Sequence, residues 1–235
     1  MHGGDVKSEN VDSDSRQYNS QTERAYRTLK RSIMENELVP AAFYLERELA
    51  ELLGMSRTPV REAARRLEAE GFVEIRPRHG ISVLPISPED MTEIYALLSE
   101  LEPMAAELAA TRGLSDQQLT RISDCVETMD KALQEDNLDA WADADHDFHQ
   151  LLVSYSGNKR LIWVISTFWD QVYRARKVTL RMREKPIASN RDHRNLVQAI
   201  RNKDPEKARE IHKKHRDRAA ETLVQLIAKH GLQVL

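Results

Sequence analysis

Leu45-Glu-Arg-Glu-Leu-Ala-Glu-Leu-Leu-Gly54-Met-Ser56-Arg-Thr-Pro-Val-Arg61-Glu-Ala-Ala-Arg-Arg-Leu67 is the stretch that decides the fold of the first third of this chain. Leu45, Leu49, Leu52 and Leu53 recur at helical spacing, so the first half is a short amphipathic helix. Gly54 can take the left-handed conformation that stops it. Ser56 or Thr58 can cap a second helix, with Pro59 in the first turn, where no intrahelical N–H is lost. Val60, Ala63, Ala64 and Leu67 give that helix a narrow apolar face, and Arg57, Arg61 and Arg65 lie on another. Two short helices about a tight glycine turn, the second basic at its start, read as a helix-turn-helix that enters a DNA major groove.

The flanking sequence supports this reading. Phe72 to Arg76 alternates like a strand, Pro77-Arg-His-Gly80 is turn chemistry, and Ile81-Ser-Val83 alternates again. The result is a β-hairpin wing with a basic tip. Upstream, Gln21 to Glu37 carries a buried stripe of Ala25, Leu29, Ile33 and Met34 and predicts a further helix. Net charge does not point to nucleic acid. The whole chain carries −3, and residues 19–83 hold 11 Lys/Arg against 10 Asp/Glu. The argument rests on local placement of Arg57, Arg61, Arg65, Arg66, Arg76 and Arg78.

A chain of 235 residues, 40% hydrophobic and 31% charged, suits one or two helix-rich domains. Residues 1–19 are polar, lack the apolar core of a signal peptide, and predict a disordered tail. No apolar run approaches a membrane span, so no membrane partner is expected. The lone Cys125 excludes an intrachain disulfide and suits a reducing cytoplasm; its neighbours Ile122, Met129 and Leu133 suggest a buried, inert thiol.

The winged helix-turn-helix is expected over residues 20–84 and a linker over 85–88, with Ser87 as cap and Pro88 at the first helical position. Residues 89–235 read as six helices joined by short loops, an antiparallel all-helical bundle. Their predicted spans are 89–112, 115–135, 139–156, 159–183, 189–202 and 205–229. Asp145 and His149, four apart, project from one helical face; His193 and His215 lie on two later helices. All three helices carry apolar neighbours that turn these faces inward. Three imidazoles and a carboxylate converging in a bundle make a metal site with positions left for water or a ligand. His146 is one residue off the Asp145 face. His212, three residues before His215, is a competitor for its place.

Residues 22–83 resemble the winged helix of the GntR-type bacterial regulators. The likeness is carried by Leu45-Glu-Arg-Glu-Leu-Ala, Ser56-Arg-Thr-Pro-Val-Arg-Glu-Ala, Arg66-Leu-Glu-Ala-Glu-Gly71 and Gly80. Where the family has Pro-Gly before its first strand, this chain has Pro40-Ala-Ala-Phe. Asp145-His-Asp-Phe-His149-Gln-Leu-Leu152 resembles the metal-binding signature of the FCD ligand-binding domain of the FadR branch. The His193 segment, and Asp204-Pro-Glu-Lys-Ala208 with His215, resemble its later elements. The resemblance implies Asp145, His149, His193 and His215 as ligands of a divalent ion: zinc by preference, with nickel, manganese or iron acceptable. It implies Arg47, Arg57, Thr58, Arg61, His79 and Gly80 as DNA-contact positions. It further implies a homodimer on operator DNA, controlled by a small effector, an organic acid. Leu98 stands where many members carry an arginine that grips an effector carboxylate. Arg174 and Arg176 are candidates to replace it, against the plainer reading that both are surface residues. The alternatives are a metal-sensing regulator and a metal-dependent hydrolase.

Overall fold

The structure is a computed structural model; it describes residues 8–230, with side chains from residue 20 onward. The chain is mainly helical and divides between Pro85 and Ile86 into two compact units.

The first unit comprises α1 (Ser8–Met34), β1 (Phe43–Tyr44), α2 (Glu46–Leu53), α3 (Arg57–Ala69), β2 (Val73–Arg76) and β3 (Gly80–Val83). Its core joins Ala25, Leu29 and Ile33 of α1 to Val60, Ala63, Ala64 and Leu67 of α3 and to Phe72, Ile81 and Val83. Gly54 ends α2 at φ 61°, in the left-handed region where it meets no steric cost. Ser56 is the N-cap of α3, in extended conformation and without a side-chain cap bond. The hairpin pairs Val73 with Val83 and Ile75 with Ile81. The sheet gains a third strand, because Phe43 and Tyr44 pair antiparallel with Ser82 and Ile81, giving the order β1-β3-β2. Gly80 is demanded by this packing. A Cβ there would lie 2.4 Å from the Tyr44 carbonyl oxygen, and its φ is +101°.

The first helix departs from the expected disordered tail over 1–19. It begins at Ser8, and residues 1–7 lie outside the described residues. Residues 8–34 contain neither glycine nor proline. Once the buried stripe has nucleated the helix, each added residue costs little and gains a hydrogen bond.

The second unit holds α4 (Pro88–Arg112), α5 (Asp116–Gln134), α6 (Leu138–Tyr155), α7 (Lys159–Ser166), α8 (Trp169–Leu180), α9 (Ile187–Arg201) and α10 (Pro205–His230). Ser87 caps α4 by accepting from Asp90 N at 3.2 Å, with Pro88 at the first helical position. Ser115 and Gln118 form a reciprocal capping box on α5. The core includes Ile122, Met129, Phe148, Leu152, Leu196 and Ile200. Trp141 Nε1 donates to Asn190 Oδ1 at 2.8 Å, and Asn190 Nδ2 donates to Asp130 at 2.8 Å, tying α6, α9 and α5 together.

Among the described residues the bundle has seven helices where six were expected, because the predicted helix over 159–183 breaks at Thr167 and Phe168. The hydroxyls of Ser166 and Thr167 donate to the carbonyls three residues back, and Thr167 N and Phe168 N close tight turns on Val164 and Ile165. These bonds compete with the helical ladder. No helix among the described residues is long and apolar enough to cross a membrane. Cys125 is half-buried on α5, and burial, with Asp147 and Asp124 nearby, pushes its thiol up to about 11.

Candidate nucleic-acid interface and metal centre

Between α3 and the wing lies an open cleft of about 450 Å³, lined by Arg47, Arg57, Arg61, Arg76, Arg78, Glu46 and Gly80 among others. Glu46 holds two of these arginines. Arg61 Nε and Nη2 donate to its two oxygens at 2.9 and 2.8 Å, and Arg57 Nη2 donates at 3.3 Å. The Arg61 hydrogen bond is the main reason the Glu46 carboxyl titrates below its usual range. Thr58 is exposed in the first turn of α3. At the wing tip, His79 Nδ1 lies 3.0 Å from the Pro77 carbonyl, its ring stands 6.2 Å from that of Phe43, and the Arg76 guanidinium covers the same Phe43. Arg78 takes φ +68°, a left-handed conformation that costs a non-glycine residue about 1–2 kcal/mol. The six sequence-derived contact positions therefore fall on α2, the start of α3 and the wing. Glu46 was missed, although it stands beside Arg47 in the quoted stretch.

The second site lies inside the bundle. α6 supplies Asp145 and His149, α9 supplies His193, and α10 supplies His212 and His215. All five are buried. One nitrogen each of His149, His193 and His215 lie within 4.8 Å of one another. Asp145 Oδ1 stands 3.6 Å from both His149 Nε2 and His193 Nε2. Neither ring nitrogen of His149 or His193 has a hydrogen bond, nor does His215 Nδ1. Leaving such a group buried and unpaired costs about 1–3 kcal/mol each, a cost that a metal bond would relieve at one nitrogen of each ring. Burial, reinforced by the neighbouring imidazoles, lowers His193 and His215 well below the ordinary histidine value. They are therefore neutral, the form a metal requires. The residues present fit a divalent ion.

Two carboxylate–arginine pairs flank the imidazoles. Arg176 Nη1 donates to Asp145 Oδ2, leaving Oδ1 toward the histidines. Arg216 donates through Nε (2.7 Å) and Nη2 to Glu102 Oε2 on α4, which also lies 3.0 Å from His212 Nε2. Burial opposes ionisation of both acids. Burial is the largest single influence, but Arg176, His149 and His193 together outweigh it at Asp145, as Arg216, His149 and His212 do at Glu102, and both carboxyls are held well below their usual range.

The four expected ligands are brought together, and His146 is not among them: it turns away to Gln150 at 2.7 Å. His212 belongs to the cluster, against Glu102. Arg174 and Arg176 are both buried, which corrects the plainer reading that they are surface residues. Burial pulls Arg174 down to about 10, and Arg176 is held by Asp145. Two residues were missed. Glu102 carried a signal, a carboxylate on the helical face of α4 that also carries Tyr95, Leu98, Ala105, Ala106 and Ala109. Arg216 lay four residues after His212, on the same face. A groove of about 320 Å³, lined by Arg183, Ser189, His215 and Arg218, opens from the cluster's edge to solvent.

Residues 21–83 match the bacterial regulatory proteins of the gntR family, and residues 93–218 match the FCD domain. The chain belongs to the GntR family of transcriptional regulators that carry an FCD domain. It is therefore a DNA-binding regulator and not an enzyme. An uncharacterized HTH-type regulator from the TAR-I ttuE-ttuC' intergenic region of Agrobacterium vitis is 39% identical over 55% of this chain and 77% of its own length. The uncharacterized HTH-type regulator YdhC of Bacillus subtilis is 28% identical over 79% of this chain and 83% of its own. The fold is that of Escherichia coli McbR/YncC, with a TM-score of 0.73 at 24% identity over 87% of this chain and 97% of that one. Glu46 and Glu102, missed from the sequence, both lie within the matched spans.

Proposed function

We propose that this regulator, a member of the FadR branch working in the cytoplasm, binds a roughly palindromic operator as a homodimer and is controlled by a small organic acid bound beside a divalent ion. Arg57, Thr58 and Arg61 reach base edges from the start of α3; Arg47 and the wing residues His79 and Gly80 approach the backbone or the adjacent groove. Two-fold symmetry lets two small footprints read two half-sites.

The observation that carries the effector half is the burial of His149, His193 and His215 with unsatisfied ring nitrogens around Asp145. Zinc suits three imidazoles and a carboxylate; nickel, manganese and iron accept the same donors. An acid entering through the groove at His215 meets cationic neighbours. Arg183 is half-buried, with its Nε unbonded, and Arg176 and Tyr95 lie near it. These groups offer what Leu98 does not. Regulation then requires that the acid bind the DNA-competent and incompetent states with different affinity.

Selection of duplexes from a random pool by the purified protein is expected to return an inverted repeat, and sequence-independent recovery would overturn the operator reading. Elemental analysis after dialysis against each ion is expected to show one ion per chain. Protein that takes up none of the four would remove the effector site's anchor.

A further inference from the structure

Beyond the expected ligands, the His149 ring stands between two carboxylates. Its Nδ1 lies 3.3 Å from Glu102 Oε2, within reach although out of line for a full hydrogen bond, and its Nε2 lies 3.6 Å from Asp145 Oδ1. A neutral imidazole has one N–H and one lone pair, and the partner of one nitrogen decides which is which. An ionised carboxylate only accepts. Glu102 is the nearer of the two carboxylates, so Nδ1 carries the proton, and the lone pair falls on Nε2, where an ion shared with Asp145 and His193 would take it.

We propose that Glu102 is a positioning residue for the metal centre: it orients His149 and holds it as the Nδ1–H tautomer, so that His149 binds the ion through Nε2, while Arg216 and His212 hold the carboxylate in place. This rests on the metal reading above. The alternative use of Glu102 is as a ligand, since Glu102, His149 and His212 also offer donors within 4.8 Å of one another. The two arginines argue against it. Arg176 takes one oxygen of Asp145 and leaves the other toward the imidazoles. Arg216 instead donates twice to the same Glu102 oxygen that His149 and His212 face. An ion on that oxygen would sit against a buried guanidinium, where like charges repel strongly.

The experiment has two arms. In the first, long-range 1H–15N spectra of the full-length wild-type protein, with and without zinc, assign the His149 tautomer, using His149→Gln to identify its signals. Nδ1–H with zinc on Nε2 is expected. Nε2–H, or zinc on Nδ1, would overturn the proposal without any variant having to fold. In the second arm, zinc affinity is measured by competition with a chelator for the Glu102→Gln/Arg216→Gln pair, which leaves no buried charge unpaired. A loss of about 10–100-fold is expected, with helical content unchanged. Unchanged affinity would overturn the positioning role and leave the metal site standing. Failure of the wild type itself to bind zinc, nickel, manganese or iron would overturn both.

Discussion

Glu46 and Glu102 are both carboxylates that hold arginines, one in each half of the molecule, and their settings could hardly differ more. The Glu46 side chain is 19% exposed and its partners Arg61 and Arg57 are 43% and 63% exposed; Glu102 and Arg216 are 0% and 1% exposed. Water already solvates the first group, so a DNA phosphate or base edge can replace the carboxylate at little cost. In the second, parting the charges would leave each in a medium that stabilises it poorly. The same ion pair would thus be an exchangeable rest position in the cleft proposed to meet DNA, and it is a fixed scaffold around the imidazoles.

The largest effect that tests this contrast is metal content. His149→Ala and His193→Ala each remove a buried donor, and elemental analysis should show the ion lost while circular dichroism shows the helices retained. The bundle keeps its own apolar core around Phe148, Leu152 and Ile200. His146→Ala should keep the metal, because its ring turns to Gln150. Full occupancy in all three variants would reduce the cluster to packed histidines. Next in size is Arg176→Met, which strands Asp145. Urea unfolding of the metal-free protein should show a loss of about 3–5 kcal/mol, the range for breaking a buried pair. A bound cation beside Asp145 should shrink that loss, so equal losses with and without metal would separate Asp145 from the ion site.

The contrast also explains what could be read from sequence. The helix pair, the wing and the inward faces of α6, α9 and α10 follow from apolar periodicity, which Leu49, Val60, Phe148 and Leu196 display openly. Asp145 and His149 share a face because a helix repeats every 3.6 residues. Glu102 and Arg216 sit 114 positions apart, and their pairing depends on how α4 lies along α10, which no local pattern encodes. Arg176 stood among the candidates to grip an effector, yet no local pattern set it apart from a surface cation; α8 turns it inward onto Asp145. The break before α8 was hidden because Ser166 and Thr167 can sit in a helix and also compete with it.

On the DNA face, Arg61→Ala should weaken operator binding by about 1–3 kcal/mol, the range for one bidentate base contact, as read by gel shift. Thermal unfolding should scarcely move, because Arg61 leaves no buried partner behind. A Tm drop as large as that of Arg176→Met would place Arg61 among the scaffold charges and dissolve the comparison.

The smallest expected effect is the most direct test of it. Glu46→Gln removes the anchor of Arg57 and Arg61, yet their pairs with Glu46 are partly exposed and should contribute only about 0–1 kcal/mol to unfolding. The variant also removes one negative charge from the cleft that faces DNA. Binding to random-sequence duplex at low salt should therefore tighten, since two guanidinium groups no longer have to leave a carboxylate before meeting a phosphate. The gain should fade as salt rises, because screening shortens from about 30 Å at 0.01 M to about 8 Å at 0.15 M. Operator preference should narrow at the same time, as the freed arginines lose the fixed approach that Glu46 gives them. Stability that falls by several kcal/mol, or random-sequence affinity that weakens, would show Glu46 to be a structural charge of the kind Glu102 is.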